Sequence, residues 1–180
     1  MDILRWAGPI DHADASVLDR CAGPVLDIGC GPGRLVRALA DRGIAALGLD
    51  LAVIAVRLTR ERGGPALVRD VFARVPGEGR WRTALLVDGN VGIGADVGRL
   101  LRRAAGLLAP GGRLLAEADP QHRDETLTVG FHAGGQPLGP PVAWARASLR
   151  TLHRRGADAG LSSGETWTSG GRVFTVLSRR

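Results

Sequence analysis

The amino-acid sequence predicts a single α/β domain in which helices cover both faces of a mostly parallel, doubly wound sheet. Its 180 residues match the size of one domain, since domains usually contain roughly 100 to 200 residues. Hydrophobic residues make up 44% of the chain and charged residues 23%, a balance that is typical of globular proteins and excludes a disordered chain. From Pro24 onward, short apolar segments alternate with amphipathic ones, and this alternation is the pattern of a parallel sheet.

Short aliphatic segments bounded by Gly, Asp or Pro predict strands that are buried on both faces. They are Pro24–Ile28, Ile44–Leu49, Ala66–Arg69, Thr83–Val87 and Gly112–Glu117. Helices are predicted between them because the intervening segments are amphipathic and end at glycine or proline. These are Arg34–Arg42, Ala52–Arg62 and Asp96–Ala109. In the last of them, leucines and alanines recur every three or four residues, and Asp96 is a favoured N-cap residue.

The C-terminal third departs from this alternation. Residues Asp119–Pro141 are rich in glycine and proline, and they predict a loop or irregular hairpin that serves as a lid. A helix is expected near Ala143–Arg155, followed by two extended segments, Leu161–Trp167 and Arg172–Leu177. The intervening Thr-Ser-Gly-Gly is typical of a hairpin turn.

Composition narrows the range of partners. The net charge of +6 comes from arginine without any lysine, and the arginines are spread along the chain, a pattern that disfavours a nucleic-acid partner. Cys21 and Cys30 form no CxxC pair, and no metal is expected. The apolar runs are shorter than the roughly 18 residues that cross a bilayer. We therefore expect a cytoplasmic protein with no membrane partner.

The most informative segment is a strand that leads into a glycine-rich turn and then a helix, Asp27-Ile28-Gly29-Cys30-Gly31-Pro32-Gly33. Its glycines let a ligand lie against the backbone, and free N–H groups at the helix start face a negative group. The spacing is GxGxG, with Arg34 where a dinucleotide motif needs its last glycine. The Asp27 carboxylate would repel a pyrophosphate but suits the ammonium and sulfonium groups of S-adenosylmethionine. The segment therefore predicts that cofactor.

Two further acidic residues follow the next predicted strands. Asp50 ends the second strand, where a carboxylate can accept hydrogen bonds from both hydroxyls of a ribose. Asp70 follows the third strand, where the adenine edge would lie. The adjoining Leu51 and Val71 are expected at the same site. The alternatives are a helix cap for Asp50 and a solvated loop acid for Asp70.

These residues resemble the motifs of the class I S-adenosylmethionine-dependent methyltransferases, with Asp27–Gly33 similar to the first motif and Asp50 and Asp70 similar to the ribose-side and adenine-side acids. The resemblance implies a Rossmann-like seven-stranded sheet in the order 3-2-1-4-5-7-6, with the last strand antiparallel. It divides the single domain into an N-terminal cap segment (1–23), a cofactor-binding core (24–118), a lid (119–141), and a terminal helix and hairpin (142–180). The implied cofactor-binding residues are Asp27, Gly29, Cys30, Gly31, Gly33, Asp50, Leu51, Asp70, Val71 and Asp88.

Catalytic candidates lie after the fourth predicted strand and near the N-terminus. Asp88 is expected to hold the methionine ammonium or to face the substrate, and Asn90 to orient an acceptor. His12 is a candidate general base, with a solvated surface histidine as the alternative. We expect residues 88–90 and the 119–141 segment to wall the acceptor pocket, and the stretch around Trp6 and His12 to cover it.

The sequence thus predicts methyl transfer from S-adenosylmethionine to an oxygen or nitrogen of a small molecule. The Asn-Pro-Pro-aromatic motif for planar amino groups and the Cys-Pro nucleophile of cytosine carbon-5 enzymes are both absent. Three alternatives remain: an RNA methyltransferase, a non-catalytic module that binds S-adenosylmethionine, and a nicotinamide dehydrogenase, which the GxGxG spacing disfavours.

Overall fold

A seven-stranded sheet forms the centre of the computed structural model, which describes residues 6–133, 135–137 and 139–180. The strands along the chain are β1 (Val25–Ile28), β2 (Ala46–Asp50), β3 (Ala66–Val68), β4 (Trp81–Leu86), β5 (Leu108–Ala118), β6 (Glu125–Val129), β7 (His132–Ala133), β8 (Gln136–Pro137), β9 (Val142–Arg146), β10 (Leu161–Ser169) and β11 (Arg172–Arg179). The helices are α1 (His12–Leu18), α2 (Arg34–Asp41), α3 (Val53–Glu61), α4 (Val97–Leu107) and α5 (Leu149–Asp158).

The order of strands in the main sheet is β3-β2-β1-β4-β5-β11-β10. Strands β1 to β5 are parallel, whereas β11 runs antiparallel to both of its neighbours, β5 and β10. The terminal hairpin supplies the sixth and seventh strands of this sheet. The predicted order and the antiparallel last strand are therefore confirmed.

Helices cover both faces of the sheet, as successive residues of β4 demonstrate. Ala84 and Leu86 belong to a core cluster that includes residues of α4 and α5. Leu85, between them, belongs to a second cluster with residues of α1 and α2. Because side chains alternate across a strand, one buried strand serves two cores, and this explains why it is apolar throughout.

The boundary between α4 and β5 differs from the sequence prediction. The helix ends at Leu107 and the strand begins at Leu108, although Pro110 was expected to end the helix and Gly112 to begin the strand. Trp81 pairs with Leu108 and Thr83 with Arg113, so the extra residues form an irregularity in the ladder. Gly111, in the left-handed region with φ +71°, accommodates it without strain on a Cβ.

The segment that follows β5 holds the clearest error of the sequence prediction. Residues 142–146 are strand β9 and not the start of a helix, and they pair antiparallel with β6. Helix α5 begins at Leu149, where the Ser148 side chain accepts a hydrogen bond from the backbone of Thr151. Residues 125–129 of the glycine- and proline-rich segment thus form one arm of a hairpin, and β7 and β8 form a second short pair near its tip. Its role as a lid stays a prediction.

The parallel strands bring their carboxyl ends to one edge of the sheet. The strand order reverses between β1 and β4, and a ligand crevice usually lies at such a point. The loops after β1, β2, β3 and β4 meet there. Among the described residues, no helix is long and apolar enough to cross a membrane.

Candidate functional site

A cavity of about 540 Å³ opens at the carboxyl edge of the sheet. Its volume lies within the range of about 300 to 1,000 Å³ that is usual for small-molecule sites. The loops after β1 to β4 form its floor and one side, and residues of the β7–β9 region and of the N-terminal stretch form the other. The lining residues from the strand loops include Gly29, Gly31, Asp50, Leu51, Asp70, Val71, Asp88 and Asn90.

Three glycines shape the turn after β1, and two of them, Gly31 and Gly33, are required for different reasons. All have left-handed backbone, with φ of +77° at Gly29, +52° at Gly31 and +81° at Gly33. A Cβ on Gly31 would meet only the Trp6 Cβ at 3.9 Å, so the backbone there borders open space in the cavity. A Cβ on Gly33 would collide with Thr59 of α3, and Gly33 does not line the cavity. Gly33 therefore allows the turn to pack against α3.

Asp50 joins the end of β2 to this turn. Its Oδ2 accepts a hydrogen bond from the Gly31 N–H at 2.9 Å, and its Oδ1 accepts one from the Ala52 N–H at 2.8 Å. Burial raises the pKa of the carboxyl, although these backbone donors oppose the shift. The next residue, Leu51, is 67% exposed at the cavity mouth, where an apolar side chain has no packing partner to explain it.

Asp70 and Val71 extend the same wall beyond β3. The Asp70 carboxylate is exposed and accepts a hydrogen bond from the Phe72 N–H at 2.9 Å. Val71 is buried at the cavity surface. The structure therefore brings Asp50, Leu51, Asp70 and Val71 to one cavity, as the sequence predicted, and their contacts with a cofactor stay predictions.

Asp27 lies on β1 and is 1% exposed, and it does not line the cavity. Its Oδ2 has no hydrogen-bond partner among the described residues. Burial, and next the negative charge of Asp88, raise the pKa of Asp27 to about 7, against an opposing effect of Arg34. A carboxyl group with this pKa responds to a positive charge placed near it at neutral pH.

Asp88, in the loop after β4, lines the cavity and pairs with two arginines. Its Oδ2 accepts from Arg34 Nη1 at 2.7 Å, and its Oδ1 accepts from Arg34 Nη2 and Arg172 Nη2, each at 3.0 Å. Its backbone has a left-handed φ of +60°, which is unusual for a residue with a Cβ. The backbone N–H donates to Glu117 Oε2 at 2.6 Å. The loop is thus held from two sides.

The same two arginines reach further carboxylates, and together these groups form what we call the ion-pair network: Asp14, Arg34, Asp88, Glu117 and Arg172. Asp14 accepts two hydrogen bonds from Arg34, both at 2.8 Å, and one from Arg172 at 2.9 Å. Burial favours a higher pKa for Asp14, but the arginines outweigh it and hold its pKa below the usual value. The network joins α1, α2, β5, β11 and the loop after β4.

Most residues of this network were not predicted from the sequence. Arg34 stood out only because it replaced a glycine, and Asp14, Glu117 and Arg172 were not selected at all. These residues are far apart in the chain, and no spacing rule connects them. One local signal was present in the capping box formed by Asp11 and Asp14, in which each side chain bonds the other residue's backbone.

Asn90 bridges two loops of the site. Its Nδ2 donates to the carbonyl oxygens of Ile28 at 2.9 Å and Gly29 at 2.8 Å, so it ties the glycine turn to the loop after β4. Both amide hydrogens are therefore used. The Oδ1 atom is the part of the amide that is left to accept a hydrogen bond from the substrate that receives the methyl group. The expected role of Asn90 in orienting the acceptor stays a prediction.

Cys30 and His12 differ in their relation to the cavity. Cys30 lines it, but burial raises the pKa of its thiol well above the usual range, so it is a packing residue without nucleophilic character. His12 is the first residue of α1, is exposed, and does not line the cavity. The helix directs Ala13, Val17 and Leu18 into the core, which leaves His12 facing away from it. The structure does not bring the candidate base to the site.

Aromatic side chains line the cavity opposite the strand loops. Trp6, Phe131 and Trp144 lie here, together with Pro140 and Val142. The sequence analysis expected the stretch around Trp6 and the 119–141 segment to surround the acceptor, and both contribute to the wall. Trp144 was missed, because residues 143–155 were assigned to a helix. Val142 and Trp144 are two residues apart, as on one face of a strand, and this spacing was the signal that could have predicted β9.

The chain matches a family model described as a methyltransferase domain over residues 25–112. No curated protein matches the sequence. Among solved structures, an S-adenosylmethionine-dependent methyltransferase from Bacteroides fragilis, in complex with S-adenosylhomocysteine, is 21% identical and superposes with a TM-score of 0.77 over 97% of this chain and 79% of that one.

Two structures of enzymes with named substrates are also similar. An amino pentose methyltransferase from Micromonospora echinaspora, bound to S-adenosylmethionine, is 21% identical, with a TM-score of 0.70 over 98% of this chain and 94% of that one. A 1,6-didemethyltoxoflavin-N1-methyltransferase from Burkholderia thailandensis is 18% identical, with a TM-score of 0.66 over 93% and 76%. At such identities the likeness establishes the fold. The match to a methyltransferase-domain model over residues 25–112 agrees with the resemblance that the glycine turn and its acidic partners predicted.

Proposed function

We propose that the protein transfers a methyl group to an oxygen or nitrogen atom of a small molecule. The premise is that residues 25–112 are a methyltransferase domain of the class I S-adenosylmethionine-dependent family. The observation that carries the proposal is the convergence of Gly31, Asp50 and Asp70 on one cavity. Each comes from a different strand end. An elongated nucleoside ligand needs contacts at several points. A turn with a purely structural role would not require three strand ends to converge on one cavity.

The residues present fit S-adenosylmethionine. The open space above Gly31 admits a ligand against the backbone, and Asp50, with one donor on each carboxylate oxygen, retains lone pairs for ribose hydroxyls. Asp70 and Val71 would hold the adenine. Asp27, buried on β1 with its pKa raised to about 7, would complement the positive charge of the ligand. When bound, this cofactor supplies a methyl group already activated by a positive sulfur.

The chain's own residues then align the acceptor and exclude water. The new bond from the acceptor atom to the methyl carbon would replace the carbon–sulfur bond, whose electron pair would stay with the leaving S-adenosylhomocysteine, and the proton of the acceptor O–H or N–H would pass to bulk solvent as the product leaves. Alignment alone lowers the barrier substantially in such a displacement. Asp88 is paired with two guanidinium groups, so its charge is already compensated, and its first role is to hold the loop that faces the acceptor.

Small-molecule acceptors are supported by the size of the cavity and by its aromatic lining. The volume of about 540 Å³, bordered by Phe131, Pro140 and Trp144, fits a small molecule. The two enzymes with named substrates described above also act on small molecules. An RNA acceptor would instead predict affinity that falls steeply with salt.

Isothermal calorimetry with S-adenosylhomocysteine and NADH, side by side, tests the proposal. We expect S-adenosylhomocysteine to bind and NADH to give no heat of binding. A panel of small hydroxyl- and amine-bearing acceptors, assayed with S-adenosylmethionine for release of S-adenosylhomocysteine, then tests turnover. Binding of NADH in place of S-adenosylhomocysteine would contradict the cofactor assignment. Cofactor binding without turnover of any acceptor would favour the non-catalytic module.

A further inference from the structure

An aromatic wall, defined here as Trp6, Phe131 and Trp144, lines one side of the cavity. The ring centroids of Phe131 and Trp144 lie 5.6 Å apart with an interplanar angle of 74°. Those of Trp6 and Phe131 lie 6.5 Å apart at 52°. These edge-to-face and tilted arrangements are the favoured ones for aromatic pairs. They hold the rings against one another without a ligand, so the wall is preorganised.

Trp144 is fixed next to the loop that carries Asp88 and Asn90. Its Nε1 donates to the Gly89 carbonyl oxygen at 3.0 Å. A Cβ on Gly92 would collide with the Trp144 indole and with the Ala145 backbone, so the close approach of β9 to this loop depends on glycine at that position. The indole is therefore held beside the loop that must also face the reacting end of the acceptor.

The lining around the aromatic wall is uncharged. The neighbouring cavity residues are Ile93, Gly94, Gly139, Pro140, Val142 and Ala143. The charged lining residues Arg34, Asp50, Arg69, Asp70 and Asp88 all come from the strand loops and the start of α2. Among the described lining residues, the uncharged side chains with a polar group are the Asn90 amide, the Cys30 thiol and the indoles of Trp6 and Trp144. The hydrogens of the Asn90 amide are bound to Ile28 and Gly29.

From this arrangement we infer that the acceptor is a neutral molecule with a planar aromatic or heteroaromatic ring, held against Phe131 and Trp144 with its oxygen or nitrogen substituent toward the loop of Asp88 and Asn90. The inference rests on the proposed function and names its substrate class. Aromatic rings gain most from stacking and edge contacts on such a wall, and Trp144 has no hydrogen bond left to offer.

Other acceptor classes fit this wall less well. A sugar needs several hydrogen-bonding side chains for its hydroxyls, and the described residues on this side of the cavity offer only the Trp6 indole N–H and the Asn90 Oδ1. The charged lining residues leave one negative charge in excess for an anion to face, with Asp50, Asp70 and Asp88 against Arg34 and Arg69. A cationic amine beside the wall would lack a free carboxylate, because Asp88 is already paired with Arg34 and Arg172 and the proposed cofactor would occupy Asp50 and Asp70.

The test measures binding of matched probes in the presence of saturating S-adenosylhomocysteine. The probes are 2-naphthol as the neutral planar ring, 2-naphthoate as its anionic counterpart, methyl glucoside as a sugar and cyclohexylammonium as a cation. We expect 2-naphthol to bind more tightly than each of the others by about tenfold or more, the effect of roughly 1.4 kcal/mol. Calorimetry on the full chain reports each affinity, and S-adenosylhomocysteine affinity is recorded separately.

Substitutions then locate the binding. Trp144→Leu and Phe131→Leu should each weaken 2-naphthol binding by about tenfold, while S-adenosylhomocysteine affinity stays within about twofold of wild type and so shows that the protein is folded. Trp144→Phe retains an aromatic ring and should restore most of the affinity. Trp167→Phe, a change to a tryptophan that does not line the cavity, should alter neither ligand.

The outcomes separate the two proposals. If the wild type does not bind S-adenosylhomocysteine, the proposed function is overturned and this inference with it. Intact S-adenosylhomocysteine binding overturns the ring inference alone if 2-naphthol fails to bind, if a sugar or cation binds more tightly, or if Trp144→Leu and Phe131→Leu leave 2-naphthol affinity unchanged.

Discussion

Arg172, the first residue of β11, donates a hydrogen bond from Nη2 to Asp88 Oδ1 at 3.0 Å. The pairing of Val173 with Ala118 places Arg172 beyond the end of β5, level with the loop that carries Asp88. The same guanidinium binds Glu117 through Nε and Nη2. The terminal hairpin therefore completes the sheet and also holds one loop of the cavity in place.

Removing this arginine should destabilise the fold. Arg172→Gln leaves Asp88 and Glu117 with fewer partners, and unpairing largely buried charges costs about 3 kcal/mol, the lower end of the usual range because the Arg172 side chain is 19% exposed. Urea denaturation of wild type and variant measures the difference. Adding Glu117→Gln to the variant should recover part of the loss, and Arg150→Gln, on the exposed side of α5, should change stability little. Equal stability of wild type and Arg172→Gln would contradict a structural role for the network.

Alanine at Gly31 and at Gly33 should have different effects. Both positions have left-handed backbone, so each substitution costs roughly 1 kcal/mol from conformation alone. Gly33→Ala also collides with Thr59 and should cost about 2 kcal/mol or more in unfolding free energy. Gly31→Ala places its methyl group in the open cavity and should chiefly lower S-adenosylhomocysteine affinity. Urea denaturation and calorimetry on both variants separate these effects, and a reversed pattern would move the ligand to the Gly33 side.

The Asp50 carboxylate should be necessary for cofactor affinity. Asp50→Ala removes acceptors for the ribose and for the Gly31 N–H, and we expect a loss of about 1.5 to 3 kcal/mol in S-adenosylhomocysteine binding, as for hydrogen bonds to charged groups. Asp50→Asn retains one acceptor oxygen and should lose less. Calorimetry provides both values, and Asp41→Ala, at an exposed ion pair with Arg37 on α2, serves as the control. Undiminished affinity in a folded Asp50→Ala variant would remove Asp50 from the site.

The cofactor half of the site was predictable because its signals are local. The turn from Gly29 to Gly33 must follow a buried strand, Asp50 ends β2, and Asp70 lies two residues beyond the end of β3. Strand ends of a parallel sheet meet at one edge, so position in the chain was enough to place these residues together. The strand order of the main sheet followed from the resemblance that the same residues carried.

The acceptor half depends on contacts between distant segments. Trp144 reaches Gly89 only because β9 pairs with β6, and the isolated sequence of residues 143–155 is equally compatible with a helix. Arg172 meets Asp14 across most of the chain, and ion pairs of this kind have no periodicity. Asp27 differs from both groups, since its motif identified it, while its burial and the lack of a partner for its Oδ2 among the described residues appear only in three dimensions.

Asp27 should make stability depend on pH in the range where most carboxyl groups have already ionised. Its pKa is raised from the ordinary 3.8 to about 7 in the folded protein, mainly by burial and then by Asp88, with Arg34 opposing and Asp50 and Asp14 adding to the rise. Between these two values the folded protein binds a proton that the unfolded chain has released. The contribution to stability is therefore complete below about pH 4 and is lost as the pH rises through about 7.

Comparison of wild type with Asp27→Asn isolates this effect, because the amide stays neutral while the other titrating groups remain. We expect the unfolding free energy of wild type to fall relative to that of Asp27→Asn between about pH 4 and pH 7 and to level off above about pH 8, as measured by urea denaturation at several pH values. Asp14, whose pKa is lowered, acts in the opposite direction and only at more acidic pH. S-adenosylmethionine affinity should rise as the pH passes about 7, more than S-adenosylhomocysteine affinity does, since only the former carries a sulfonium that favours the ionised carboxylate. A constant stability difference across this range, together with equal pH profiles for the two ligands, would show that Asp27 does not titrate near neutrality and does not sense the charge of the bound cofactor.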